Sequence, residues 1–108
     1  MHEKDLSLLR LFDFYGGLLG DAAKEQFEMY YQNDLSLSEI SELTGISRQG
    51  VRSNLTRAAD QLRGYEKVMR LAEHAETADA AFERMRRLII DGDKDGALAL
   101  IEQIKDIL

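Results

Sequence analysis

The sequence predicts an all-α fold, and three observations carry that expectation. The chain contains no proline, so nothing forces a helix to stop. It contains no cysteine, so nothing staples loops. Apolar residues recur at spacings of three and four along almost its whole length, the period of an amphipathic helix. With 108 residues and 44% apolar content, the chain can bury one modest core.

Each element has its own signal. Residues 5–19 carry Leu6, Leu9, Phe12, Tyr15, Leu18 and Leu19, with Leu8 and Leu11 beside them, at helical spacing. Asp5 is the expected N-cap, and the helix should end around Gly16 to Gly20. Asp21 is expected to cap a second helix with a stripe of Ala23, Phe27, Tyr30 and Tyr31, closed by "QND". The next start, "SLSE", places Ser36 as N-cap and Glu39 three residues on, the pattern of a capping box. Leu37, Ile40 and Leu43 then form the expected buried face, and Gly45 suits the left-handed residue that ends a helix.

Only Ile46 separates Gly45 from the next cap, Ser47, so the fourth helix must leave at a steep angle. Val51, Leu55, Ala58, Ala59 and Leu62 form its buried side, and the pattern continues through Gly64, Tyr65, Val68, Met69 and Ala72. Thr77 or Asp79 is expected to open a further helix, "DAAFERMRRLII". After the turn cluster "DGDKDG", "ALALIEQIKDIL" completes a C-terminal helical hairpin. The expected organisation is a helix-turn-helix domain over residues 1–76 and a helical extension over 77–108.

Charge is unevenly spread over this frame. The net charge is -6, yet "GISRQGVRSNLTRAADQL" and the residue after it hold Arg48, Arg52, Arg57 and Arg63 against one acid, Asp60. An acidic whole disfavours indiscriminate polyanion binding, because Lys and Arg neutralising phosphates supply most of that affinity. A helix, a glycine elbow and a second helix with valine at its fourth position form the arrangement of a helix-turn-helix. Arg48 and Gln49 then occupy the first turn, where side chains reach base edges. Arg52 and Arg57 lie further along, where phosphates are met, with Ser53 and Thr56 on the same exposed side. An ordinary helical corner with a solvated basic face fits the same residues, and the pattern alone leaves both open.

The stretches "LFDFYGGLL", "MYYQNDLSLSEISELTGISRQGV" and "YEKVMRL" resemble the YlxM-like family of small bacterial helix-turn-helix proteins, whose fold is related to region 4 of sigma factors. The resemblance covers roughly residues 6–72. It implies a sigma region 4-like helical bundle and a regulatory role in the signal recognition particle (SRP) pathway. It also implies a motif carried on Ser47, Arg48, Gln49, Val51 and Arg57. Family members often place an aromatic where Arg52 stands and an acid near Ser53, and many carry a Lys-Gln pair where this chain has Ala22 to Lys24. These departures put a shared base preference in doubt. The C-terminal pair matches only loosely.

A second motif competes for attention. Asp91, Asp93, Asp95, Gly96 and Glu102 meet the spacing of a calcium loop. The same residues serve as the turn and cap of a helical hairpin, which is the favoured reading because no second loop exists to pair with this one. His2 and His74 have no companions that suggest a metal or catalytic site. Phe12, Phe14, Tyr15, Phe27, Tyr30 and Tyr31 are expected in a core or interface.

The expectation is therefore a cytoplasmic protein without enzymatic activity, cofactor or membrane span. It should bind nucleic acid, either DNA or SRP RNA, through Ser47, Arg48, Gln49, Arg52, Ser53, Thr56 and Arg57. The alternative is an adaptor that docks on the SRP GTPase or its receptor by protein–protein contact. Apolar content in the C-terminal pair further motivates the expectation of a homodimer.

Overall fold

The computed structural model describes residues 4–107. His2 lies outside them. Six α-helices and no strands appear among the described residues: α1 Ser7–Tyr15, α2 Asp21–Phe27, α3 Leu37–Thr44, α4 Arg48–Met69, α5 Leu71–Ile90 and α6 Lys94–Ile107. The chain divides into two compact units, Met1–Met69 and Arg70–Leu108.

In the first unit α1, α2 and α3 all pack on α4. The stripe that α1 and its following turn bury is Leu8, Phe12, Tyr15 and Leu19, while Leu6 and Leu18 face solvent. Asp5 does act at the start of α1, accepting from the Ser7 N–H at 3.1 Å, although the helix proper begins two residues later. A 3-10 turn, Gly16–Leu18, closes α1. Gly16 is required there, since a Cβ would stand 2.9 Å from the Phe12 ring.

Gly20, not Asp21, is the N-cap of α2; Asp21 is the acid of its first turn, where it favours the positive helix end. α2 widens into a π-helical turn, Glu28–Gln32. Phe12, Phe27 and Tyr31 form a continuous stack with ring centroids 4.6 and 4.4 Å apart. Among the expected core aromatics only Phe14 is exposed.

In the second unit α5 and α6 form a hairpin with Ala81, Leu100 and Ile104 at its centre and Met85 and Leu88 against them. Two boundaries differ from the sequence expectation. α4 stops at Met69, because Arg70 adopts the left-handed conformation (φ 56°), and Ala72 belongs to α5. α5 thus begins at Leu71 rather than at Thr77 or Asp79, and Thr77 sits inside it, its hydroxyl donating to the Glu73 carbonyl at 3.1 Å.

Gly92 (φ 79°) turns the chain between α5 and α6. Asp93 caps α6, its carboxylate accepting from the Gly96 N–H at 2.8 Å and its carbonyl from the Ala97 N–H at 3.1 Å. Asp95, Gly96 and Glu102 therefore lie on helix rather than in a twelve-residue loop. Glu102 faces Lys105 at 3.4 Å. Among the described residues no group of three or more His, Cys, Asp or Glu is placed to hold a metal ion.

Candidate nucleic-acid interface

The elbow is built by local chemistry. Ser36 accepts from the Glu39 N–H, and the Glu39 carboxylate accepts from the Ser36 N–H, both at 3.0 Å, so the capping box is complete. The Ser36 N–H, and after it the Ser36 hydroxyl, hold the Glu39 carboxyl below its ordinary pKa. At the other end Gly45 takes the left-handed conformation (φ 76°, ψ 3°). The Thr44 hydroxyl donates to the Ile40 carbonyl and accepts from the Ile46 N–H, which locks the turn. Ile46 packs on the core, and Ser47 caps α4 by accepting from the Gly50 N–H at 3.0 Å.

α3 contributes less apolar area than its pattern suggests. Ile40 is fully buried and Leu37 partly, but Leu43 is 67% exposed. α4 supplies most of the anchoring: Val51, Leu55, Ala58, Ala59 and Leu62 are all buried. With that side fixed inward, the remaining arc of α4 is turned to solvent by geometry alone. Arg48, Gln49, Arg52, Ser53, Thr56 and Arg57 are all exposed there, as is Ser47.

Their electrostatic states differ from that of Arg63. Arg63 bonds Asp5 at 3.2 Å and approaches Asp60 at 3.8 Å, so its charge is neutralised within the fold. Among the described residues no carboxylate lies within 4.0 Å of Arg48, Arg52 or Arg57. The three project from a stretch of helix about 14 Å long. Asp60, exposed one turn further on, ends the basic run.

The same arc borders two grooves. One, of about 540 Å³, is lined by Ser36, Leu37 and Ser38 at the start of α3 and by Ser47, Arg48, Gln49 and Arg52 of α4. Two helix N-termini, each with free N–H groups and a positive dipole end, thus border a groove that holds two guanidinium groups, a setting suited to phosphate. The second, of about 380 Å³, runs on along Gln49, Arg52, Ser53, Thr56 and Arg57 to Asp60. Thr56 donates its proton to the Arg52 carbonyl at 3.0 Å, which leaves it an acceptor suited to a base amino group rather than to phosphate.

Sequence reasoning missed two contributors. Ser38 belongs to the groove, and the capping box already marked its position in the first turn of α3. Gln26 is the one buried polar side chain in the described chain; its Oε1 accepts from Asn54 Nδ2 at 3.1 Å, which ties α2 to the middle of α4. Gln26 follows Ala23 by three and precedes Tyr30 by four, so its place on the buried stripe was legible from spacing.

Comparison with known proteins agrees with this geometry. The family model described as "Putative helix-turn-helix protein, YlxM / p13 like" matches residues 2–106, well past the segment ending at residue 72 and through both helices of the second unit. A UPF0122 protein of Caldanaerobacter subterraneus subsp. tengcongensis is 45% identical over 89 residues, covering 82% of this chain and 76% of that one. One from Thermoanaerobacter sp. (strain X514) is 40% identical over 108 residues, covering 96% and 92%. One from Shouchella clausii is 35% identical over 108 residues, covering 99% of each. The matched family is a helix-turn-helix family and not an enzyme family, and no helix among the described residues is long and apolar enough to cross a membrane. An elbow at Gly45, a capped α4 with its basic side outward, and similarity along nearly the whole length lead to one conclusion: this chain belongs to the UPF0122 family of YlxM/p13-like helix-turn-helix proteins.

Proposed function

We propose that this protein binds nucleic acid through the first half of α4 and acts, without catalysis, as a cytoplasmic regulator in the SRP pathway, its target being SRP RNA or DNA. The observation that carries the proposal is the exposure of Arg48, Arg52 and Arg57 without carboxylate partners, beside the N-termini of α3 and α4. Arg48 and Gln49, in the first turn, are assigned to base edges. Arg52, Ser53 and Arg57 are assigned to phosphates, with Ser47 holding the turn that presents them and Thr56 as an acceptor. The SRP connection follows from the family resemblance and is an association rather than a geometric result.

A second reading is favoured by one observation, the net charge of -6. In it, the same basic arc docks on an acidic surface of the SRP GTPase or its receptor. One experiment separates the two. Arg48→Glu with Arg52→Glu is compared with wild type for binding to SRP RNA, to genomic DNA fragments and to the purified GTPase. Loss of RNA or DNA binding with the GTPase interaction intact supports the proposal. Loss confined to the protein partner transfers the function to the adaptor.

A further inference from the structure

The second unit spans residues 70–108, below the size of roughly 40 residues at which a chain generally holds a fold without disulfide, metal or association. It has no cysteine, and among the described residues no cluster suited to a metal. Its own centre is thin, and six large apolar side chains stay outside it: Leu71 is 43% exposed and Ile90, half a turn round α5 from Ala81, 70%, and the other four are Phe82 at 50%, Ile89 at 62%, Leu98 at 51% and Ile101 at 37%.

Those last four are in phase. Ala75, Ala78, Phe82, Met85 and Ile89 follow one another at steps of three and four, the a/d spacing of a coiled-coil seam. At 100° per residue, Phe82 and Ile89 stand about 80–100° round α5 from Ala81, which faces α6. Leu98 and Ile101 stand about 40–100° round α6 from Ala97, in the same sense. Because the two helices of a hairpin run antiparallel, equal rotations bring both stripes to the same side. Apart from Ile90, the hairpin therefore carries its exposed large apolar side chains on one side, and the opposite side, with Arg84 and Arg87, is polar and exposed.

We propose that a second copy of this chain covers that side, so that two α5–α6 hairpins make a four-helix bundle with α5 antiparallel to α5. A two-fold contact must be self-complementary, and this surface is. In the register that sets Phe82 of one copy against Met85 of the other, Ala78 falls opposite Ile89, small against large, and every pairing occurs twice. Asp79 and Arg86 flank the seam, and this register sets each against its opposite charge on the other copy. A parallel pairing sets Ala78 against Ala78 and Phe82 against Phe82, with no charge match. The covered strip, about 30 Å along α5, about 21 Å along α6 and about 10 Å wide on each, amounts to about 500 Å² per copy. The total of about 1,000 Å² is at the low end of specific interfaces, the size of weak or transient contacts.

The test reads mass and cross-linking without nucleic acid, so its outcome is independent of the proposed binding function. Sedimentation of the full chain across the micromolar range is expected to show a dimer, and Phe82→Glu is expected to make it monomeric with unchanged helical circular dichroism. Since the chain lacks cysteine, chains carrying Phe82→Cys mixed with chains carrying Met85→Cys should form a disulfide-linked heterodimer on oxidation, while Phe82→Cys alone should cross-link poorly. If Phe82→Glu loses helicity, the cross-linking result decides. A monomer throughout the range overturns the proposal, as does a dimer that survives Phe82→Glu. So does a Phe82→Cys chain that links to itself as readily as to Met85→Cys.

Discussion

Gly50 and Ile46 meet across the elbow so closely that a Cβ on Gly50 would stand 2.8 Å from Ile46 Cγ2 and 3.1 Å from the capping Ser47 hydroxyl. Gly64, in the same helix, has nothing within 4 Å of the equivalent position. The same substitution should therefore have opposite signs at the two sites. Gly64→Ala gains helix propensity and should stabilise by about 0.5–1 kcal/mol. Gly50→Ala gains as much but must displace a β-branched, partly buried side chain, a strain of about 1–3 kcal/mol. Denaturant titration of both variants checks this: a stabilised Gly50→Ala would show that the elbow has room its geometry denies.

The basic arc yields a graded prediction. Arg57→Ala should weaken binding to all sequences alike and lower the slope of log affinity against log salt by about 1, as expected for the loss of one phosphate contact. Arg48→Ala should instead alter base preference, by about 1–3 kcal/mol at one position. Asp60→Asn removes the acid that ends the run and should raise affinity roughly twofold to fivefold, the size of an exposed charge interaction. Arg63→Ala should leave the salt slope unchanged, because its charge is already matched by Asp5. Titrations at several salt concentrations decide among these, and an Arg63 effect as large as that of Arg57 would contradict the assignment.

The elements of this fold that were legible in sequence are those set by neighbouring residues. Ser36, Glu39 and Gly45 speak through caps that reach three or four positions, and the buried side of α4 speaks through its period. The break at Arg70 gives no such signal, since arginine is a good helix former and the apolar pattern of Tyr65, Val68, Met69 and Ala72 runs straight through it. Arg63 was legible as a cation but not as an engaged one, because Asp5 lies 58 positions away in the chain. Leu43 was read as buried because a helix-length pattern does not reveal how wide the covering surface is. For the interface, residue type and phase picked out the arc on α4. Ser38 and the tie from Gln26 to Asn54 required tertiary placement.

The capping box predicts a measurable loss. Ser36→Ala removes the acceptor for the Glu39 N–H and should cost about 1 kcal/mol, which for a domain near this size lowers the melting temperature by about 4–8 °C. Glu39→Gln keeps an oxygen that can accept from the Ser36 N–H and should cost less. Because the first turn of α3 borders the groove, Ser36→Ala should also weaken RNA or DNA binding, whereas Ser41→Ala, past the middle of α3 and outside the groove lining, should not. Equal binding by the two variants would remove α3 from the interface.

Acid should loosen both units for one shared reason. The Asp5 carboxyl is held below its ordinary pKa by the Ser7 hydroxyl and N–H and then by Arg63, that of Glu39 by Ser36, and that of Glu73 by Arg70, whose guanidinium lies 2.6 Å away. In each case the charged form is the one that the fold binds. A carboxylate with a depressed folded pKa contributes stability that is fully present above its unfolded pKa and is lost as pH falls through the folded value. Melting temperature should therefore stay nearly level from neutral pH down to about 5 and drop below about 4, the range of unperturbed carboxylates. Asp5→Asn retains an acceptor for Ser7 but cannot titrate, so its melting temperature at neutral pH should be lower than that of wild type and its further loss in acid smaller. Parallel acid dependences in the two proteins would show that Asp5 is not among the groups whose protonation opens the fold.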